Sequence, residues 1–509
     1  MEVSADRCFT KKQLKEILDN VKNKTLGEVD VKNVFAKTIA NPKITGIAGM
    51  VIEQSVLGYK ADSKKEADIC VDGVMTEVKT TGLKKLKDGK LTAKEPISIT
   101  AVSIDKKKGI RTIDEESDFE DSAFFHKIDN MLFVFYFYGS LVTVPAADYA
   151  KFKILGHRFH EFSEFSDEDK ERLRNDWQLV HDFVVDIKQR YNTEEERKQH
   201  YPNLSTLLND ELMVLDTAPK YPNPPRFRFR SAFAKAFVEE WLGIEERKKL
   251  ATPITKFSDI DKKCHEITEK YKGLNAIELF KALDICDSKP NGKGRGEQIV
   301  IRMFGQTAKK INDISDFAKI GLIAKTITTK PDGSRKEDTK CTTIDFDEWQ
   351  NKEVSFEESP LYEYFNDHTF LFIIFKQDPT KKTLSPSERS KYDIFCGFKR
   401  YKFPHKFIME EGQKTWDKVR ELIFCNTLKV EPIRNSWGVI RYTPTTGVVM
   451  EAPNFPKKED GYNIFLRGSG TDSSPKYKTL EINGLKMLPQ NFWINGKSIL
   501  DQLRDVPFL

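Results

Sequence analysis

The chain has no C-x-x-C pair, no apolar run long enough to cross a bilayer and no large excess of either charge sign. Each absence excludes something. Seven cysteines stand singly at 8, 70, 264, 286, 341, 396 and 425, a scatter that fits reduced thiols in a cytoplasm better than a disulfide scheme. The missing apolar run leaves no candidate membrane helix, and the opening M-E-V-S-A-D-R does not read as a signal peptide. Lysine and arginine outnumber aspartate and glutamate by only 83 to 78, a formal charge of +5, so any nucleic-acid partner must be argued from local clusters. What is present is ample: 509 residues, 39% hydrophobic and 32% charged, enough for two or three domains with full cores.

The most informative stretch is E-A-D-I-C-V-D-G-V-M-T-E-V-K-T-T, residues 66–81. β-branched residues flank Asp72-Gly73, a dipeptide that tolerates positive φ, so two short strands around a tight turn are expected. Glu77 and Lys79 are two apart and share one face of the second strand. Asp68 lies on the first strand, where a hairpin brings it alongside Glu77. Two carboxylates and an amine on one face repel or strand one another unless a counter-ion joins them, and a divalent metal resolves that conflict. The pattern D-x8-E-x-K is therefore a candidate phosphodiester-cleaving site. Just upstream, Ile47, Val51, Ile52 and Leu57 predict a helix with close-approach glycines at 46 and 49. Glu53 in that helix is either a partly exposed glutamate or a fourth group of the metal site.

Thr10 is placed to cap a first helix in a region, 9–40, that reads as helical up to Pro42. After Thr81 the chain turns basic: Lys84, Lys85, Lys87, Lys90 and Lys94 form one cluster, Lys106, Lys107, Lys108 and Arg111 another. Such runs are commonly solvated faces, but these flank a short apolar strand beside the candidate site, where they could hold phosphates. The acidic tract D-E-E-S-D-F-E-D that follows reads as a solvated face rather than a shield. Lys127 stands just ahead of M-L-F-V-F-Y-F-Y, a central strand. Residues 163–199 read as helical, and prolines make 218–225 a rigid loop. Then Arg226, Arg228 and Arg230 alternate with Phe227 and Phe229, which predicts rings in the core and guanidinium groups on one face. That arrangement suits DNA contact, with Lys220 nearby, and equally suits an arginine-lined surface strand.

The second half repeats the first. Gly49 and Gly58 flank the Glu53 helix; Gly296 and Gly305 flank G-E-Q-I-V-I-R-M-F-G at the same separation. G-V-M-T-E-V-K-T-T at 73–81 lines up with G-L-I-A-K-T-I-T-T at 321–329, and an apolar strand with an acidic lead follows in each. On that alignment Val300 replaces Glu53, Lys325 replaces Glu77, Ile327 replaces Lys79, and Asp316 is left as a lone match to Asp68. The second copy is thus expected to be silent. It keeps surface chemistry: Arg467, Ser469 and Thr471 in a small-residue loop, then Asn495 and Lys497 after a strand whose Phe492 and Ile494 face the core. A surface turn and a buried tryptophan would read the same way. The expected organisation is 1–240, a helical linker 241–285, and 286–509.

Glu53 four residues after Gly49, D-x8-E-x-K at 68–79, H-K-I-D at 126–129 and the closing F-W-I-N at 492–495 together resemble the MutH family of GATC-directed endonucleases, and within it the type II restriction enzymes built of two fused MutH-like domains. The resemblance implies an α/β fold, a restriction-endonuclease-like core of mixed sheet flanked by helices, here duplicated as an active N-terminal and an inactive C-terminal copy. It implies that Glu53, Asp68, Glu77, Lys79 and Lys127 are catalytic, with Asp68, Glu77 and Glu53 on Mg²⁺. The hairpin is longer than the family usually shows, so Asp72 competes with Asp68 as ligand; Asp68 is favoured because Asp72 belongs to the turn. The implied partner is double-stranded DNA containing 5'-GATC-3', cut before the G on both strands, with the second domain binding another site as effector through a dimer or a DNA loop. No nucleotide cofactor is expected, and the location would be a bacterial cytoplasm. Two alternatives share the motifs: a repair endonuclease nicking hemimethylated GATC, and an inactive GATC-binding protein.

Overall fold

The computed structural model describes residues 7–59, 67–86, 88–106, 110–206, 210–218, 224–243, 247–286, 288–292, 294–335 and 337–509. The chain divides into two compact units, one of residues up to 140, 144–260 and 312–321, the other of 141–143, 261–311 and 322–509. The stretch 241–285 holds the helices Phe257–Tyr271 and Ala276–Ala282, and the unit boundary at 260 falls inside the first of them. Among the described residues no helix is long and apolar enough to cross a membrane. All seven cysteines are free thiols.

The first unit is a mixed α/β core, consistent with a restriction-endonuclease-like fold. Its main sheet runs β1 (Cys8–Phe9), β2 (Ile69–Val71), β3 (Val74–Lys85), β6 (Asn130–Phe137) and β7 (Lys153–Glu161), with β4 (Leu91–Ala93) pairing on β3. β3 and β6 are parallel, β6 and β7 antiparallel. β6 is buried on both faces from Met131 to Tyr136, which is why its sequence is an unbroken apolar run. A smaller sheet sets β9 (Arg226–Phe229) between β5 (Ile97–Ala101) and β8 (Leu215–Asp216). Helix Lys11–Val21 starts at Thr10, whose hydroxyl accepts from the Gln13 N–H while the Gln13 side chain accepts from the Thr10 N–H, a reciprocal cap.

Residues 22–33 depart from the expected helix. Asn23, Leu26 and Gly27 donate their N–H groups to the carbonyls of Ile154, Phe152 and Ala150, so the distant segment leading into β7 takes bonds a helix would use. The expected helical stretch 163–199 forms as a long helix, Asp167–Arg190, and a short one, Glu194–Lys198. The acidic tract neutralises its neighbours: Lys106 meets Glu115, Arg111 meets Asp121, Lys188 meets Asp114 and Arg174 meets Glu120.

The second unit has the same pairing scheme. β10 (Leu322–Thr329) runs parallel to β12 (Thr369–Lys376), which runs antiparallel to β13 (Ile394–Tyr401). β19 (Gln490–Ile494) lies between β11 (Thr339–Thr343) and β16 (Ile464–Gly468). Two further ribbons pair β14 (Val430–Pro432) with β15 (Glu451–Pro453), and β17 (Leu480–Ile482) with β18 (Leu485–Met487). Phe492 and Ile494 are buried in the core, as expected.

The bonds within each unit correct the sequence alignment by two residues. Lys79 Nζ donates to the carbonyl of Ile99 on β5, and Lys325 Nζ donates to the carbonyl of Cys341 on β11. Gly49 faces Thr80, and Gly296 faces Thr326 so closely that any Cβ there would collide with its hydroxyl. Lys325 therefore occupies the place of Lys79, not of Glu77. The place of Glu77 falls to Ile323 and that of Glu53 to Val300. Asp316 is no counterpart of Asp68: it sits on the helix Ser315–Lys319 of the first unit, buried against Arg172.

Candidate active site

The hairpin forms as its sequence requires. Asp72 and Gly73 both take positive φ, 47° and 88°, the conformation that matches the twist of the flanking strands. Ile69 pairs with Thr76, so the next residues outward, Asp68 and Glu77, are brought side by side. Asp68 Oδ2 accepts the Val78 N–H at 2.9 Å, which fixes its carboxylate against β3. Asp72 is elsewhere: at the turn, accepting the Lys11 N–H.

Glu77 is the centre of the arrangement. It is 3% exposed, with one oxygen 2.7 Å from Lys79 Nζ and the other 2.6 Å from Lys127 Nζ. Lys127 reaches it from the last turn of the helix Ala123–Ile128, which Ser122 caps and which leads directly into β6. Burial pushes the Glu77 carboxyl up, but the two ammonium groups outweigh it and hold the group below the usual carboxylate range.

Its neighbours are driven the other way. Burial, then the charge of Glu77, pushes Asp68 up to about 6. Burial, then Asp68 and Glu77, pushes Glu53 up to about 7. Glu53 lies in a π-helical turn, Ile52–Val56, that continues the helix Ile47–Val51. That wide turn is a local distortion of a kind common at functional positions. Tyr59 is a further member that sequence reasoning missed. Its hydroxyl is buried without a hydrogen-bond partner among the described residues, and burial together with Asp68, Glu53 and Glu77 raises its pKa. A tyrosine six residues after the glutamate carries no motif signal; only the fold shows it facing the carboxylates' field.

The other expected contacts divide. Lys85 and Arg226 are exposed and Lys84 is half-buried. Arg226 donates to the Ser98 hydroxyl. Arg228 forks onto Asp216 at 2.7 and 3.0 Å. Arg230 is 3% exposed and donates to the Leu215 carbonyl, so it presents no guanidinium to solvent and is a packing residue. Phe227 and Phe229 are in the core, as expected. Lys87 and Lys220 lie outside the described residues, as does most of the proline-rich loop 218–225. In the second unit Arg467 is exposed, bonded to Asp338 and stacked over Trp493. The Ser469 hydroxyl accepts from Asn491, and Thr471 is exposed. Asn495 and Lys497 follow β19 as the cap and first turn of the helix Gly496–Leu503, with Asn495 bonding the Lys497 N–H.

With this geometry in place, two comparisons bear on it. Residues 57–176 match the family model of the DNA mismatch repair enzyme MutH. The interval takes in Asp68, Glu77, Lys79 and Lys127 and stops short of Glu53. The type II restriction enzyme Sau3AI of Staphylococcus aureus is 22% identical over 490 residues, covering 88% of this chain and 90% of that one. Both similarities point to a nuclease, and the family match is confined to one region in the first unit.

The residues suit a hard divalent cation in donor type, since carboxylate oxygens are what such ions take. Among the described residues no three of His, Cys, Asp and Glu stand close enough together to form a ready ligand cluster. The fit rests on charge instead. Asp68 and Glu53 are half-buried beside the buried Glu77, and desolvation first, then the neighbouring carboxylate charge, raises both, so a cation there would relieve the cost of ionising them.

Proposed function

We propose that the chain is a metal-dependent DNA endonuclease of the MutH type, acting at GATC through one catalytic centre in its first unit. The observation that carries this reading is Glu77, buried between Lys79 and Lys127 with Asp68 opposite and Glu53 behind. Asp68 and Glu77 would hold a Mg²⁺ ion, with Glu53 completing or shaping the site. Such an ion supplies charge for the scissile phosphate and a more acidic attacking water.

The chain's own residues set the rest. Lys127 keeps Glu77 ionised and fixed in rotamer. Lys79 spends two of its three N–H donors on Glu77 and the Ile99 carbonyl, which aims the third at a water or phosphate oxygen. Tyr59, kept neutral by burial, offers one more donor. Lys84, Lys85 and Arg226 would take flanking phosphates, and Arg228 could join them only by sharing Asp216. In the second unit Val300 and Ile323 stand where carboxylates would be needed, so that unit would bind DNA through Arg467, Thr471 and Lys497 without cutting.

One centre cuts one strand at each engagement. The match to a repair-enzyme family favours a nick as the primary product. A second reading, double-strand cutting with the second unit as effector, is favoured by the extent of similarity to a type II restriction enzyme, 90% of its length. The catalytic assignment is tested by Lys79→Ala and Glu77→Ala: each should lower the cleavage rate at least about 100-fold in folded protein. Wild-type rates in both would overturn it.

A further inference from the structure

Between the helix Gln413–Phe424 and β16 the second unit carries a projection, residues 433–450, that stands on the β14–β15 ribbon. In the first unit the same interval of the fold, between the long helix and β8, holds short helices instead. The projection is built without a core. None of residues 430–450 is buried, and its shape comes from hydrogen bonds, those of the backbone joined by the Asn435 side chain and by the Arg434 guanidinium, which donates to the Gly438 carbonyl at 2.8 Å. Ile433 donates to Met450, Met450 to Arg441 and Arg441 back to Ile433, at 2.7–2.9 Å, closing a three-way lock at its base. Above it, Gly438 donates to Asn435, and the Asn435 side chain accepts the N–H groups of both Trp437 and Val439, which makes a tight tip.

What that frame displays is unlike ordinary surface. Trp437 is 85% exposed at the tip, and Val439 and Tyr442 are exposed beside it. Arg434 and Arg441 are exposed on the adjoining strands, and no acidic residue occurs between 432 and 450. A large indole held in water by a stiffened turn, between two cations and no anions, matches a polyanion that also offers flat apolar faces. The projection is tied to the residues just after the Arg467–Thr471 loop: Thr446, in a second turn closed by Thr443 and Gly447, bonds Asp472, and Glu451 at the base donates its N–H to the Ser473 hydroxyl.

We propose that this finger enters a groove of the duplex DNA bound by the second unit, with Arg434 and Arg441 on backbone phosphates and Trp437 packed on base edges. A two-stranded ribbon fits a major groove about 12 Å wide. The proposal rests on the nuclease reading above and adds the element by which the non-cutting unit grips its DNA.

The test is fluorescence anisotropy of a labelled duplex carrying one GATC, titrated with full-length protein in EDTA across a range of salt. Trp437→Ala should weaken binding roughly 5- to 100-fold, the loss of one large aromatic contact with the DNA. The double variant Arg434→Gln, Arg441→Gln should flatten the slope of log affinity against log salt by about 2, close to 0.9 per lost phosphate contact. Both should unfold close to the wild-type temperature, because no finger residue is buried and the Arg434–Gly438 bond is exposed to solvent. Wild-type affinity and slope in both variants would overturn the finger while leaving the nuclease reading intact. A wild-type chain that retains no duplex would overturn both. Loss of self-association with DNA binding unchanged would assign the finger to a protein contact and equally overturn the proposal.

Discussion

At the scale of single residues, Glu53, Asp68 and Glu77 influence one another's protonation, and the cation of the proposed function would compete there with protons. Glu77 is held ionised by Lys79 and Lys127, while Asp68 and Glu53 are raised to about 6 and about 7 from ordinary values of 3.8 and 4.5. Between those limits the folded chain binds more protons than the unfolded one, so metal-free stability should fall as pH rises from about 4 to 7. Each group costs up to about 3 kcal/mol once ionised. Glu53→Gln should therefore raise the melting temperature in EDTA at pH 8 and leave it nearly unchanged at pH 4. Equal effects at both pH values would show that Glu53 carries no buried charge. Glu77 and Lys79 were legible because a strand's period of two puts them on one face. Asp68 was legible because the Asp72-Gly73 turn sets the register. Tyr59 was not, since its relation to the carboxylates depends on how a helix packs over a hairpin.

At the scale of elements, the clearest case is the helix Ser315–Lys319. Asp316 looked like the remnant of a metal ligand, but it pairs with Arg172, which also holds Asp169 and the Ile254 carbonyl, while Lys319 pairs with Asp169 and Glu240. All these side chains except Glu240 are buried, so removing one partner strands a charge. Asp316→Ala should cost about 3–5 kcal/mol, read from the denaturant midpoint, and should leave metal affinity unchanged. A neutral effect on stability would remove the structural role. The sequence could not reveal this pairing, because the partners are 144 residues apart and neither forms a motif. The same limit explains the alignment error of two residues: glycine and threonine spacing suggested one register, and only the carbonyls that accept Lys79 and Lys325 decide the other. Elements set by local rules, such as the Thr10 cap, the hairpin and the apolar strand β6, were readable directly. Residues 22–33, whose bonds go to 150–154, were not.

At the scale of the whole molecule, two units share a strand-pairing scheme, and among the described residues Glu53, Asp68 and Glu77 all lie in the first. On the function proposed above, one cutting centre must engage duplex twice to break both strands, and a second unit that bound without cutting would keep the chain attached between the two events. The measurement that tests this most directly is cleavage of supercoiled plasmids bearing one or two GATC sites, with Mg²⁺ or with EDTA, and the ends mapped by sequencing. The account predicts metal-dependent cuts confined to GATC, open circles appearing before linear product, and faster linearisation of the two-site plasmid. Cuts unrelated to GATC, or cleavage undiminished in EDTA, would contradict it.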